Sequence, residues 1–269
     1  MMESSMSKVV NEQEELANLL ARLRSEGRQQ SGLDPRLVPL DSETAYAVAA
    51  IVAQKLGWAV GGWKIAAMKE EMQRALRTSA PIYGRVYAHL IRHSPAIFEH
   101  RRLLRPLIEP EYVARLGADL PPRARPYTPE EVADAVASLH PGIEVAECRF
   151  AQDEAFPPLQ AILADGSGAG SLVLGPAIAD WRQRDIGSQE VVLRVNGAER
   201  RRGTARAAVD HPMVPLAWLA NELSRAGIGL KAGEVVSTGT LTGMIVGRSG
   251  EVHLADFGPF GEVCVTLQA

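Results

Sequence analysis

The chain has 269 residues, 46% of them hydrophobic, values ordinary for a protein that buries a full core in one large or two modest domains. With 29 Lys and Arg against 32 Asp and Glu, the formal net charge is -3, so no basic excess is available to neutralise a phosphate backbone. We therefore expect no nucleic-acid partner. The two cysteines, Cys148 and Cys264, make neither a disulfide framework nor a zinc motif.

The N-terminal segment is polar and carries charges of both signs, which is unlike a secretory signal. No later run approaches the roughly 20 apolar residues that a membrane span needs. We expect a cytoplasmic protein without a membrane partner.

The first two predicted elements are helices. Apolar residues recur at helical spacing near the start of the chain, at Leu16, Leu19, Leu20 and Leu23. A Gly- and Pro-containing loop then interrupts this pattern. Asp41 is a suitable N-cap for a second helix over 44–56, and Gly57 supplies its end.

A third helix is predicted where Thr128, Pro129 and Glu131 form a capping-box pattern with proline at the first helical position. We expect this helix to include VADAVASLH and to stop near Pro141 and Gly142. A fourth helix is predicted over 213–226, since leucines and alanine share one face and a glycine follows.

Most of the remaining chain is predicted to form strands. VVLRV followed by Asn196 and Gly197 is a strong hairpin signal, because a type I′ turn needs positive φ at both central positions. GEVCVTL alternates like a final strand. Separated helices without a regular βα rhythm favour the α+β class, with a helical N-terminal part over 1–80 and a β-rich catalytic part over 81–269.

Paired acids supply the first chemical signal. Glu109 and Glu111 lie two apart in a segment typical of a strand, so both carboxylates point to one face. Exposed strands also carry such pairs, but a second acidic cluster, Glu144 and Glu147, lies within the apolar stretch IEVAECRF. A buried carboxylate without a partner shifts its pKa or binds a cation. Carboxylate oxygens suit Mg²⁺ or Mn²⁺.

These acids resemble the metal triad of the fumarylacetoacetate hydrolase superfamily, in the branch of the 2-keto-4-pentenoate hydratases and 2-oxo-hexenedioate decarboxylases. The resemblance implies that Glu109, Glu111 and Glu144 hold the metal. It places Glu147 on the family's Asp position and Arg149 on its Arg, both with catalytic roles. It also implies a mixed β-sandwich or roll of the fumarylacetoacetase C-terminal type.

The resemblance continues along the chain from about residue 15 to the end. GWKIAAM is similar to the family's lysine motif and makes Lys64 a catalytic candidate. ADGSGAGSLVLG assigns Asp165 and Ser167 to substrate binding. The block from Trp218 to Gly243 is the most family-specific, and it adds further substrate-binding candidates, namely Thr238, Gly239 and Thr240. Without the family context, Lys64 would be an ordinary surface lysine, and Arg149 could simply neutralise a neighbouring glutamate.

The implied function is a metal-dependent hydratase that adds water to a 2-hydroxy-dienoate or 2-oxo-alkenoate and forms a homo-oligomer. The sequence departs from the hydratase pattern D-x-P-D-f-G, because it reads SAPIYG over 79–84 and has neither aspartate. Decarboxylation of a 2-oxo-hexenedioate and acylpyruvate hydrolysis therefore stay open as alternative reactions. A non-catalytic scaffold is the alternative of another class.

Strand alternation separates the two acids of IEVAECRF. On a strand, Glu144 and Glu147 point to opposite faces, so only one of them can join Glu109 and Glu111. We choose Glu144, which leaves Glu147 beside Arg149, where a charge pair can position a substrate carboxylate or a water.

Overall fold

Seven α-helices are distributed along the chain as far as Arg225 in the computed structural model, which describes the backbone of residues 2–269 and the side chains from residue 11 onward. The α-helices are α1 (Met2–Glu26), α2 (Ser42–Leu56), α3 (Glu70–Leu76), α4 (Pro129–Ala135), α5 (Leu159–Ala164), α6 (Ala205–Ala208) and α7 (Met213–Arg225). Within the described chain, no helix is both long enough and apolar enough to cross a membrane.

The strands form two sheets. In chain order they are β1 (Val60–Ala66), β2 (Ile82–Tyr87), β3 (Ile91–His93), β4 (Ala96–Glu99), β5 (Leu107–Leu116), β6 (Val136–Ala146), β7 (Ser171–Leu174), β8 (Glu190–Val195), β9 (Ala198–Thr204), β10 (Val235–Ser237), β11 (Ile245–Val246), β12 (Val252–Asp256) and β13 (Glu262–Gln268). The larger sheet has the order β2-β1-β10-β5-β6-β7-β3, with β11 also paired to β5, and the smaller has the order β4-β13-β12-β8-β9. Parallel and antiparallel pairs occur in both sheets, and the α+β class is confirmed.

The main core lies between the two sheets. β13 packs against β6 and β7, and the ring of Tyr112 on β5 meets Phe257 edge-on with centroids 5.3 Å apart. A second apolar cluster joins α1, α2 and α5, where Leu16, Leu20 and Val48 are fully buried. The N-terminal helices therefore pack on the large sheet through their own core.

Both caps predicted for α2 are present. The Asp41 carboxylate accepts a hydrogen bond from the Thr44 amide at 2.8 Å, and Gly57 ends the helix with φ of 62°. The helix begins at Ser42, two residues before the predicted start. The hairpin is confirmed as well, since Asn196 and Gly197 both have positive φ between β8 and β9.

The third predicted helix is wrong over its second half. Its capping box is present at Thr128 and Glu131, but α4 ends at Ala135 and the chain continues directly into β6. Valine, leucine and alanine occur in both helices and strands, so these residues alone do not decide between the two. The segment is a strand because it pairs with β5 along its length. The fourth helix and the final strand lie where the sequence predicted them, as α7 and β13.

The predicted division of the chain at residue 80 stays a prediction. Most of the N-terminal part is helical, as α1, α2 and α3 show. However, β1 also lies before residue 80, and it is an inner strand of the large sheet between β2 and β10. Lys64 on β1 is thereby brought next to residues that lie far along the chain.

Candidate active site

Antiparallel pairing of β5 with β6 brings three acids together. Glu109 is directly opposite Glu144 in the register, and Glu111 lies two residues further along β5 on the same face. One carboxylate oxygen from each lies within 4.8 Å of the others, and all three residues are buried. This is the acidic cluster referred to below.

Several oxygens of the acidic cluster have no protein hydrogen-bond partner. Glu111 Oε2 accepts from the Ser237 hydroxyl and, at 2.7 Å, from the Gly239 amide. Among the described side chains, Glu111 Oε1 and both carboxylate oxygens of Glu144 are buried without a partner. A buried carboxylate oxygen without a donor is costly, and a cation would satisfy it.

Burial raises the pKa of each acid in the cluster, and repulsion between carboxylates adds to this effect for Glu109 and Glu111. For Glu109, burial acts first and the charge of Glu144 second, and they raise the pKa to about 7. For Glu111, burial and both neighbouring carboxylates hold the pKa well above its usual range. For Glu144, burial raises the pKa although the Lys64 ammonium opposes it. Ionising all three acids together therefore requires added positive charge.

Lys64 reaches the acidic cluster from β1. The parallel pairing of β1 with β10 sets Lys64 opposite Ser237, and its Nζ lies 3.8 Å from Glu144 Oε1. Burial lowers the lysine pKa, but the surrounding carboxylates, Glu144 first, outweigh burial and hold it above the usual value. Three carboxylates and one ammonium leave an excess of two negative charges, which one divalent cation balances.

The acidic cluster borders a cavity of about 1350 Å³. The predicted site residues that line this cavity are Lys64, Glu109, Glu147, Ser167, Gly239 and Thr240. The predicted residues that do not line it are Glu111, Glu144, Arg149, Asp165 and Thr238. The structure thus places part of the predicted set on the cavity wall and the rest behind that wall.

Arg149 does not pair with the carboxylate of Glu147. Glu147 lies just beyond the end of β6, and its Oε1 accepts a hydrogen bond from the Leu104 amide at 2.5 Å. The guanidinium of Arg149 instead contacts Asp165, with Nε 3.4 Å from Oδ2, and donates to the backbone carbonyl of Glu147. Strand alternation does not govern Glu147, because the strand has already ended.

A residue that the sequence reasoning missed completes this arrangement. Arg24 on α1 is buried, and its Nη2 donates to the Asp165 carbonyl at 2.6 Å and to Oδ1 of the same residue at 3.3 Å. Two buried arginines therefore hold one aspartate. The sequence did contain a sign that Arg24 is buried. Leu16, Leu20 and Arg24 recur every four residues, which places the arginine on the same side of α1 as the two buried leucines.

The loop after Asp165 is held close to the large sheet. Ser167 has φ of 58°, and its hydroxyl donates to the Tyr83 carbonyl at 2.6 Å.

The segment after β10 contacts the acidic cluster and its own backbone. The amide of Gly239, whose φ of 103° suits glycine, donates to the Glu111 carboxylate. The hydroxyl of Thr238 donates to the Tyr112 carbonyl at 2.9 Å, which is a structural contact. The hydroxyl of Thr240 donates to the Gly243 carbonyl at 2.9 Å.

Comparison with known proteins identifies relatives of this architecture. The sequence model of the fumarylacetoacetate (FAA) hydrolase C-terminal family matches residues 65–267. The chain is 28% identical over 241 residues to 2-keto-4-pentenoate hydratase 2 of Dechloromonas aromatica (strain RCB), covering 88% of this chain and 90% of the relative. It is 28% identical over 259 residues to 2-keto-4-pentenoate hydratase of Burkholderia vietnamiensis (strain G4 / LMG 22486), covering 94% and 97%.

A solved structure shows the same fold over nearly the whole chain. It is 4-oxalocrotonate decarboxylase from Pseudomonas putida G7, complexed with magnesium and adipate. The TM-score is 0.85 at 20% identity, and the match covers 94% of this chain and 97% of that one. The expected fold type is confirmed.

Proposed function

The chain belongs to the fumarylacetoacetate hydrolase C-terminal family, and we propose that it is a divalent-metal-dependent hydratase acting on a small 2-oxo acid. The proposed reaction adds water to a 2-hydroxy-dienoate or 2-oxo-alkenoate in the breakdown of aromatic-derived 2-oxo acids. Two relatives are named 2-keto-4-pentenoate hydratases, which supports hydration of a 2-oxo-alkenoate. The observation that carries the proposal is the acidic cluster, with Lys64 beside it, at the wall of a large cavity.

The metal proposed for the acidic cluster is Mg²⁺ or Mn²⁺. The donor set fits such an ion, because it consists of carboxylate oxygens, several of which are buried without partners. Glu109, Glu111 and Glu144 are the proposed ligands. When bound, a divalent cation supplies Lewis-acid stabilisation of negative charge on the 2-oxo oxygen of the substrate.

Lys64 is the proposed proton carrier. Its Nζ is buried at the cavity wall, where it can hold a proton near a substrate carbon and exchange it as the enol and keto forms interconvert. Glu147, also on the cavity wall, is the proposed second acid–base group. Ser167, Gly239 and Thr240 line the same space and are proposed to contact the substrate.

Arg149 and Asp165 are proposed to act by positioning. Neither lines the cavity, yet Asp165 accepts from the Arg149 amide at 2.8 Å and immediately precedes the loop that carries Ser167. Thr238 is placed in the same way, one residue before Gly239. These residues hold the substrate-facing backbone and exclude water behind it.

Other reactions share the same enolate chemistry. Decarboxylation of a 2-oxo-hexenedioate and acylpyruvate-type C–C hydrolysis are the alternatives, and one observation bears on them. Ile82 lies on the cavity wall where the family pattern has an aspartate, so that position offers no acid for proton transfer. A non-catalytic scaffold is disfavoured by three converging buried carboxylates.

The test is an assay of purified protein with Mg²⁺ or Mn²⁺ against 2-hydroxy-dienoates, 2-oxo-hexenedioate and acylpyruvates. We expect loss of the dienol absorbance with formation of a 4-hydroxy-2-oxo acid. Release of CO₂ or cleavage to two acids without hydration would replace the hydratase proposal by one of the alternatives. No turnover of any substrate in either metal would favour the scaffold.

Lys64→Met is the informative variant in this assay. We expect kcat to fall by about 10²- to 10⁴-fold, the usual contribution of a positioned acid or base, while metal binding is retained. Lys231→Met is the matched control, since that exposed lysine pairs with Asp119 outside the cavity. Equal activity of the two variants would remove Lys64 from the mechanism.

Homo-oligomerisation and a cytoplasmic location, both expected from the sequence, are part of the same proposal. Light scattering at micromolar concentration measures the oligomeric state. A monomeric mass would withdraw the first of these two expectations.

A further inference from the structure

The cavity is far larger than a five-carbon substrate. Such an acid has about eight non-hydrogen atoms, which at a water's share of about 30 Å³ each fill on the order of 240 Å³. The cavity measures about 1350 Å³. Even with the metal and several waters in place, most of the space lies beyond the acidic cluster and Lys64.

Apolar side chains face this remaining space. Large hydrophobic residues are exposed at only a few described positions, and three of them, Met72, Phe156 and Met244, line the cavity with 38 to 42% of their surface exposed. They come from three separate segments, namely α3, the loop before α5 and the loop between β10 and β11. Their convergence on one cavity marks an apolar binding surface.

The helix α3 supports the same reading. None of its residues is buried, although Met72 and Leu76 lie on one face and both line the cavity. Ile82 on β2 and Ile162 on α5 extend the apolar wall. The apolar face of α3 is therefore open to the cavity, and within the described part of the chain no side chains pack over it that bury its residues.

The charged residues of the wall beyond Lys64 do not form a second carboxylate site. Arg202 is held by ion pairs with Glu190 and Glu199. Arg105 is exposed to water, and its guanidinium donates to the side-chain oxygen of Gln152, which also lines the cavity. Lys69 and Arg77 are exposed, so water screens their attraction for an anion, and the acidic Glu71 and Asp153 share the wall.

The geometry points to a substrate whose far end is an extended apolar group, alkyl or aryl, packed against Met72, Phe156 and Met244. This inference rests on the proposed function, because the 2-oxo acid head must lie at the acidic cluster. It goes further by naming the substrate class: a 2-oxo acid with a long apolar tail, in preference to a five-carbon acid or a dicarboxylate.

The experiment compares three unreactive acids in the presence of saturating Mg²⁺ by isothermal titration calorimetry. They are 2-oxopentanoate, 2-oxononanoate and 2-oxononanedioate, which separate the effect of tail length from that of a second carboxylate. Each buried methylene contributes about 4-fold to affinity, so we expect 2-oxononanoate to bind at least about 10-fold more tightly than the other two. Equal affinities, tightest binding of the dicarboxylate, or no binding of 2-oxononanoate would overturn the inference.

Variants then locate the tail. Met72→Ser and Phe156→Ser should each lower the affinity ratio of 2-oxononanoate to 2-oxopentanoate by about 3- to 10-fold, and folding is not at risk because both side chains are exposed. Leu40→Ser is the control, since Leu40 is 83% exposed and outside the cavity. An unchanged ratio in both cavity variants would overturn the assignment.

The two proposals fail separately. Turnover of a five-carbon dienoate without any dependence of binding on tail length would overturn the tail site alone. Binding that depends on tail length, without hydration of any dienoate, would overturn the hydratase proposal and leave the tail site standing.

Discussion

Glu144 and Glu147 lie three residues apart, and their carboxylates have different surroundings. Glu144 is buried in the acidic cluster, and both of its carboxylate oxygens lack a protein hydrogen-bond partner. Glu147 accepts from the Leu104 amide and faces the cavity. Removal of a direct ligand should abolish metal binding, whereas removal of a nearby supporting group weakens it by about 10- to 100-fold.

We therefore predict that Glu144→Ala loses Mn²⁺ binding. We expect Glu147→Ala to retain it with an affinity lowered by at most about 100-fold. Calorimetric titration with Mn²⁺ measures both. The assignment fails if Glu147→Ala loses the metal while Glu144→Ala keeps it. Glu154→Ala, at an exposed position outside the cavity, is the control for loss of a negative charge.

At the residue scale, the sequence predicted the three acids of the cluster better than it predicted the arginines that hold Asp165. Glu109 and Glu111 follow from period-two geometry on a strand, and the three carboxylates do converge. The partners of Asp165 could not be read in this way. Arg24 lies 141 residues before it, and no local pattern specifies which buried acid such an arginine meets.

Among the elements, boundaries were the harder part. The capping box gives the start of α4, because a cap is local chemistry. The end of α4 depends on β5, a strand that is not part of the cap. Val136 and the following residues pair with β5 and so belong to the sheet. The short helices α3 and α5 also escaped prediction, since fewer than eight residues carry little periodicity.

The helix α1 is tied to the candidate site by Arg24. Its guanidinium contacts the carboxylate of Asp165 and the carbonyl of Ala169, both in the segment that carries Ser167, and lies over the ring of Tyr87. The Arg24→Ala variant leaves Asp165 with one arginine and creates a void. Breaking a buried ion pair costs about 3 to 5 kcal/mol.

We predict a loss of this size in the free energy of unfolding for Arg24→Ala, measured by urea denaturation. Arg22→Ala is the matched control, because Arg22 lies on the exposed side of the same helix and should change stability by less than about 0.5 kcal/mol. Similar values for the two variants would show that the buried contacts of Arg24 do not anchor α1.

For the whole molecule, the acidic cluster makes stability depend on both metal and pH. A cation that binds only the folded protein stabilises it by about 2.7 kcal/mol at 100 times its Kd, which raises Tm by several degrees. Chelation should remove this gain. The size of the gain depends on how many protons the acidic cluster holds in the metal-free state.

The last prediction follows from the sign of the Glu109 shift. Its pKa is raised from 4.5 to about 7 in the metal-free fold, so between these values the folded protein binds more protons than the unfolded chain. Stability from this group is therefore lost as pH rises through that window. Metal binding requires the ionised acids, so the Tm difference between Mg²⁺-saturated and chelated protein should widen from pH 5.5 to pH 8. Differential scanning calorimetry measures it, and in metal-free protein the Glu109→Gln variant should lose the part of the pH dependence that comes from Glu109. A Tm difference that stays constant across this range, or that narrows, would contradict the role assigned to the acidic cluster.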